Sequence, residues 1–300
     1  MDIIPTYQCN MRCSFCFNKD NWETKGLLDL NHLRTTLEEN KNIVELAIIG
    51  GEPSLLPSDY LYELITICKE YLNGKKPDFY TNLIHIPEKH IRENIDLHVS
   101  YDPCDRVLQD RVLNNMLELD IDFSINTIIT KKLIYEYGIK RIDQLANRLR
   151  KPLYLSKINV VTTNGIRHMQ PIPDDIVQFT INLHKLQNEY IRSSLLRVLN
   201  KSYKHTKPSA ERFDYNVSIN PDGRFQTSGL HGMEKIYADS YQECLQLYEK
   251  EFKLPEKCLA CKYNEYCIDE YRHNDDCSDD YSIMERFERY YNEHLCNVSM

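Results

Sequence analysis

Apolar and β-branched residues gather in short runs over residues 2–7, 43–49, 78–80, 97–101, 122–129 and 153–161. Longer stretches lie between them, in which apolar residues recur every three or four positions. The first pattern predicts buried strands and the second amphipathic helices. The clearest helix covers residues 59–73, with Leu61, Leu64, Ile65, Cys68 and Leu72 on one face, Ser58 as its N-cap and Gly74 just past its end. Six such alternations require parallel strands joined by crossover helices. The fold class expected is α/β, a partial (β/α)6 TIM-like barrel, with its chemistry at the C-terminal ends of the strands.

The rhythm changes after a helical stretch at 174–199. Residues 201–212 are polar and basic, contain Pro208 and read as a linker. A hairpin follows: 215–220 alternates, Pro221-Asp222-Gly223 turns, and 224–228 returns. A helix near 240–252 and a closing helix at 279–294 complete the chain, the latter burying Ile283, Met284, Phe287, Tyr290 and Tyr291. The expected organisation is a barrel over 1–200, the linker, and a smaller cysteine-rich domain of hairpin and helices over 213–300.

Composition narrows the function. An apolar fraction of 42% supports a sizeable core, and a formal charge of −8 disfavours wrapping nucleic acid. No apolar run approaches the roughly 20 residues of a membrane helix, and no basic segment followed by an apolar one opens the chain. A cytoplasmic location without membrane or nucleic-acid partners is expected. Eleven cysteines, an odd number without a secretion signal, do not suggest a disulfide framework. Their distribution suggests metal sites: three fall within residues 9–16, and four crowd into 258–277.

Cys9, Cys13 and Cys16 follow the first expected strand on one short loop. Three thiolates can ligate three irons of a 4Fe–4S cube and leave the last iron open, unlike the four-cysteine site of a passive electron carrier. Zinc is the competing reading, although structural zinc favours four ligands in paired C-x2-C units. The C-x3-C-x2-C spacing resembles the signature of the radical S-adenosylmethionine (radical SAM) superfamily. Phe15, before the last cysteine, matches the aromatic that lies near the adenine in that family. Gly50-Gly51-Glu52-Pro53, ending the second strand, resembles the segment that binds the methionine amine; glycines expose carbonyls at close range and Glu52 adds negative charge. Thr81, Asn82, Ser100, Asp102 and Asn126, at later strand ends, resemble positions that contact the ribose or carboxylate. Each also suits an ordinary polar turn.

Cys258, Cys261 and Cys267, with Cys277 beyond, resemble the SPASM/twitch extensions that carry auxiliary 4Fe–4S clusters; zinc would also satisfy four thiolates. Two positions depart from the full SPASM pattern, Ser228 and Tyr271 standing where it has cysteines. The resemblance therefore implies one auxiliary cluster held by Cys258, Cys261, Cys267 and Cys277, with Cys244 or Cys296 as substitutes for Cys277. His231 is a further candidate to replace a lost ligand, although a plain loop histidine fits it better.

Cys68 lies on the apolar face of its helix and reads as core. Cys104, after the fourth strand, could give a hydrogen atom to a substrate radical or simply pack at a helix start. The resemblance implies an enzyme that cleaves S-adenosylmethionine reductively to a 5′-deoxyadenosyl radical, which removes a hydrogen atom from substrate. Peptide modification by crosslinking, epimerisation or oxidation is the first expectation. A small-molecule oxidoreductase acting on a sugar or antibiotic precursor is the second, and a non-catalytic iron–sulfur or zinc module the remote third. The expected partners are a flavodoxin- or ferredoxin-type electron donor and, for a peptide substrate, a separate leader-binding protein.

Overall fold

The computed structural model describes residues 1–16, 18–157, 167–200, 217–227, 236–251, 256–263 and 277–295. The first strand, β1 (Asp2–Ile3), leads through the cysteine loop to α1 (Leu30–Glu39), β2 (Ala47–Ile48) and α2 (Ser58–Tyr71). The alternation continues with β3 (Asp78–Thr81), α3 (Lys89–Arg92), β4 (Asp96–Ser100), α4 (Gln109–Glu118) and β5 (Phe123–Ile129). Then come α5 (Gly138–Leu149), β6 (Leu153–Lys157), α6 (Pro173–Leu186), β7 (Ile191–Ser193) and α7 (Ser194–Leu199). The hairpin strands are β8 (Val217–Ile219) and β9 (Phe225–Thr227), followed by β10 (Tyr237–Ala238), α8 (Tyr241–Glu251), α9 (Glu256–Leu259) and α10 (Ser278–His294).

All ten strands join one sheet in the order β10-β9-β8-β1-β2-β3-β4-β5-β6-β7, parallel from β8 through β7. Side chains from seven of these strands line a single cavity, so the sheet curves around it as a partial barrel. Helix α2 shows how the outer layer is held. Leu61, Leu64, Ile65 and Cys68 are buried in the core between helix and sheet, and the helix stops where Asn73 and Gly74 turn left-handed. There the Gly74 N–H donates to the Lys69 carbonyl at 2.7 Å, satisfying one terminal acceptor.

Three expectations change. The run at 2–7 forms only a two-residue strand because Pro5 has no N–H to donate; its carbonyl instead accepts from the Leu28 N–H at 3.0 Å. The stretch 174–199 is not one helix. Gln187 turns left-handed at φ +51 and ends α6, and the chain re-enters the sheet as β7. Apolar residues at Ile191, Leu195 and Val198 imitate a continuing helical stripe, which conceals that strand. Ser58 is already helical and Pro57 takes the capping position.

The hairpin is part of the same sheet as the barrel. Strand β8 lies parallel beside β1, with Asp2 opposite Ser218 and Ile3 opposite Ile219. Gly223, at φ +83, makes the turn between β8 and β9. Adjacent residues in register share a face of the sheet. Gln226, Ser218, Asp2, Ala47 and Asp78 therefore form one row across β9, β8, β1, β2 and β3.

Candidate active site

The cysteine loop begins where β1 stops pairing. The Cys16 N–H donates to the Cys13 carbonyl at 3.1 Å and closes the loop's last turn. Two backbone amides point at sulfur: Met11 N–H to Cys9 Sγ at 3.3 Å and Asn18 N–H to Cys16 Sγ at 3.4 Å. Burial pushes the Cys9 thiol up, the Met11 amide opposing it, and pushes Cys13 up to about 11 against the pull of Arg106. Ligation of a metal would replace the protons of Cys9 and Cys13. Asn18, which sequence reasoning passed over, is wholly buried and its side-chain amide donates to the Gly50 carbonyl at 3.1 Å.

That bond fastens the cysteine loop to the turn after β2. Gly51 N–H donates to the Thr6 carbonyl at 2.9 Å and Glu52 N–H to the Gln8 carbonyl at 2.8 Å, so two backbones run in contact. A Cβ on Gly51 would stand 2.1 Å from the Gln8 oxygen; Gly50 combines a φ of +122 with a 2.7 Å approach to Ile4. Both positions require glycine. The Glu52 carboxylate, 1% exposed, accepts from the Thr81 hydroxyl and the Asn82 N–H, both at 2.6 Å, and from the Ser54 N–H at 3.1 Å. Glu52 therefore ties the ends of β2 and β3 together while carrying negative charge to the cavity wall. Pro53 is buried behind it, and the Asn82 amide donates to Asn10 Oδ1 at 2.7 Å.

Asp102 does not reach the cavity. Its buried carboxylate holds the Arg106 guanidinium at 2.5 Å and accepts from the Ile128 N–H at 2.7 Å. Burial pushes the Asp102 carboxyl up, while the neighbouring guanidinium draws it back down. Arg106 itself lines the cavity, 5.2 Å over the Phe15 ring, and Met169 packs against Phe15 as well. The sequence hints at Arg106 only through its four-residue spacing from Asp102. Replacing Arg106 with Met would leave a buried carboxylate unpaired and cost about 3–5 kcal/mol, to be read by chemical unfolding. Unchanged stability would show that the pair is solvated.

The cavity occupies about 420 Å³. It brings together ten residues picked out from the sequence: the three thiols, Phe15, Gly50-Gly51-Glu52, Thr81, Asn82 and Ser100. Pro53, Asp102, Asn126 and Cys104 are not on its wall. Asn126 sits beside Ser100 in register and has a buried Nδ2 without a partner among the described residues. Cys104 is half-buried in the loop after β4, where burial raises its thiol.

Among the described residues no three Cys, His, Asp or Glu side chains converge as they would around one metal ion. The loop offers three soft sulfur donors beside an open cavity and amides aimed at two of them. This donor set fits a cluster that three thiolates would hold better than a closed zinc site of four ligands.

Near the C-terminus, Cys258 lies in α9, Cys261 follows that helix, and Cys277 caps α10. Cys267, Cys296, Ser228, His231 and Tyr271 lie outside the described residues. Cys244 is wholly buried in α8, and burial pushes its thiol up to about 12; Cys68 shares both properties in α2. No described helix is long and apolar enough to cross a membrane.

Residues 3–151 match the family described as the Radical SAM superfamily. The chain is similar to an S-adenosylmethionine-dependent nucleotide dehydratase from Flammeovirga pacifica, 26% identical over 258 residues, which covers 75% of this chain and 82% of that protein. It is also similar to a cysteine-type anaerobic sulfatase-maturating enzyme from Clostridium novyi (strain NT), 37% identical over 82 residues, 24% of this chain and 22% of the other. Among solved structures, native anSMEcpe with bound AdoMet and Cp18Cys peptide aligns with a TM-score of 0.71 at 17% identity, covering 99% of this chain and 98% of that one. A histidine-tagged anSMEcpe with bound AdoMet aligns at 0.68 and 16% identity, covering 97% and 98%. At those identities the structures share the fold.

Proposed function

We propose that this protein, which belongs to the radical SAM superfamily, uses its cavity to generate a substrate radical on a peptide. When bound, a 4Fe–4S cluster and S-adenosylmethionine supply the electron and the 5′-deoxyadenosyl radical for hydrogen abstraction. In this reading Cys9, Cys13 and Cys16 hold the cluster. The Gly50-Gly51 turn presents carbonyls to the methionine amine, and Glu52 keeps that turn in place. Arg106, fixed by Asp102, offers a cation to the methionine carboxylate, and Phe15 offers a face to the adenine. Thr81, Asn82 and Ser100 supply polar contacts around the ribose, and Asn126, off the cavity wall, stands beside Ser100 in register. The cavity walls exclude water from the reactive centre.

The observation that carries the peptide assignment is the charge of the cavity. Among the described lining residues Arg106 is the one arginine or lysine, against the carboxylates of Asp2 and Glu52. A nucleotide's phosphates would call for several cations, whereas a peptide would not. The likeness over 99% of the chain to a structure holding a peptide supports the same choice. A second reading, chemistry on a small molecule, draws support from the likeness to the nucleotide dehydratase.

Cys258, Cys261, Cys267 and Cys277 would carry one auxiliary cluster in a C-terminal domain over 213–300, beyond a barrel over 1–200. A flavodoxin- or ferredoxin-type donor would supply electrons, and a separate protein could deliver the peptide. Cys104 would serve as hydrogen donor only if substrate reaches its loop.

Anaerobic reconstitution followed by iron counting and a SAM-cleavage assay tests this reading. About eight irons per chain are expected for two cubes, with 5′-deoxyadenosine formation on reduction that peptides stimulate. Stimulation by nucleotides alone would overturn the peptide assignment, and a reconstituted, reduced protein that cleaves no SAM would overturn the whole reading.

A further inference from the structure

The cavity does not end at the cysteine loop. It continues down to Asp2, Ser218 and Gln226, in the row set by the register of β1, β8 and β9, with Ala47 beside them. Alanine's single methyl leaves space on the β2 side of Asp2, and the small Ser218 side chain is what stands between Asp2 and Gln226. Gln226 is 2% exposed, yet its Oε1 has no hydrogen-bond partner among the described residues. A buried acceptor left unmade costs stability, so a group that donates to it repays that cost.

The surroundings decide which kind of donor. Asp2 brings a second acceptor to the same floor, and Asp78 continues the row. Asp78 is engaged by His98 Nε2 at 2.9 Å; the other ring nitrogen of His98 meets Ser124 Oγ at 2.6 Å, and Tyr80 stacks on the ring. Burial first, and then the neighbouring Asp78, push the Asp2 carboxyl up to about 6 despite the attraction of the chain's terminal amine. That amine donates to the Glu45 carbonyl at 2.8 Å. The floor is thus rich in acceptors, and a cation placed against Asp2 would favour its ionised form, while Arg106 stands at the cysteine-loop end beside Cys13 and Phe15.

The geometry points to a subsite at the cavity floor that takes a cationic, hydrogen-bond-donating group of the substrate, an arginine or lysine side chain, between Asp2 and the Gln226 Oε1. This assignment rests on the cavity being the reaction chamber for a peptide. A guanidinium fork can donate to both acceptors at once, which favours arginine over lysine. Anchoring the basic end at the floor would leave the attached carbons of that side chain facing the cluster loop.

Isothermal titration calorimetry on the reconstituted enzyme tests the subsite, with n-butylguanidinium, n-butylammonium and neutral N-butylacetamide as probes. The guanidinium should bind tightest and the acetamide not measurably. Asp2→Asn, which removes the charge, and Gln226→Leu, which removes the acceptor, should each weaken guanidinium binding at least about tenfold, the size of one hydrogen bond to a charged group. Thermal midpoints of both variants would show whether they remain folded, and Gln226→Glu, which restores an acceptor, should recover binding lost in Gln226→Leu. Equal binding of the neutral probe, no binding of any cation, or variants that bind as wild type would overturn the subsite. SAM cleavage measured on the same wild-type samples separates the two readings: cleavage without cation binding sinks the subsite alone, and cation binding without cleavage sinks the radical reading.

Discussion

Serine at Cys9, Cys13 or Cys16, one at a time, should lower 5′-deoxyadenosine formation more than about a hundredfold. Removing even an outer partner of a metal ligand costs about 10–100-fold, and here a ligand itself is lost. A serine hydroxyl is a hard donor that holds its proton far more tightly than a thiol, so it replaces a thiolate poorly on iron. The two amides aimed at Cys9 and Cys16 sulfur would then face a smaller oxygen and lose contact. Iron content should fall from about eight to about four per chain, because the four cysteines proposed near the C-terminus would hold the other cluster. Cys68→Ala provides the control, its thiol being wholly buried in α2 and not part of the cavity wall. That variant should lose stability and keep its iron. Full SAM cleavage by Cys13→Ser would refute the three-thiolate site.

Gly51→Ala should be nearly as severe without removing a ligand. The added methyl would meet the Gln8 carbonyl oxygen at 2.1 Å and the Tyr7 carbonyl carbon at 2.6 Å, and both are backbone atoms that cannot rotate away. Relief requires parting the two loops. That breaks Gly51 N–H to Thr6 and Glu52 N–H to Gln8, and strains the Asn18 bond to Gly50. Overpacking alone costs about 1–3 kcal/mol, with about 1 kcal/mol more for each buried hydrogen bond lost. Denaturant unfolding should show the drop. The carbonyls proposed to receive the methionine amine would also move, so the apparent KM for SAM should rise. A variant with wild-type stability and KM would show that the two loops do not need this contact.

The parts of the site legible from sequence are those in which one loop carries all the chemistry. Cys9, Cys13 and Cys16 meet because so short a stretch of chain cannot separate them far, and Gly50-Gly51 announces a close backbone approach by lacking side chains. Their partners were not legible. Asn18 looks like any loop polar residue until its amide is found on the Gly50 carbonyl. Asp102 has the position expected of a cavity residue, but its carboxylate turns to Arg106 and the Ile128 amide. Arg106, which does reach the cavity, is marked in the sequence only by its four-residue spacing from Asp102. Strand β7 was concealed because Ile191 is buried at a spacing that also continues a helix.

Spacing and residue type along the chain suffice for the alternation of strands and helices, the hairpin, the cysteine loop and the glycine turn. Each depends on interactions between near neighbours, where few geometries are open. Only the folded chain sets β8 beside β1, bringing Ser218 next to Asp2, and Gln226 beyond it, from the far end of the sequence. The fold likewise selects which polar side chains face the cavity and which bond to each other. Such choices follow from strand register and burial, which the whole core sets together and no local segment encodes.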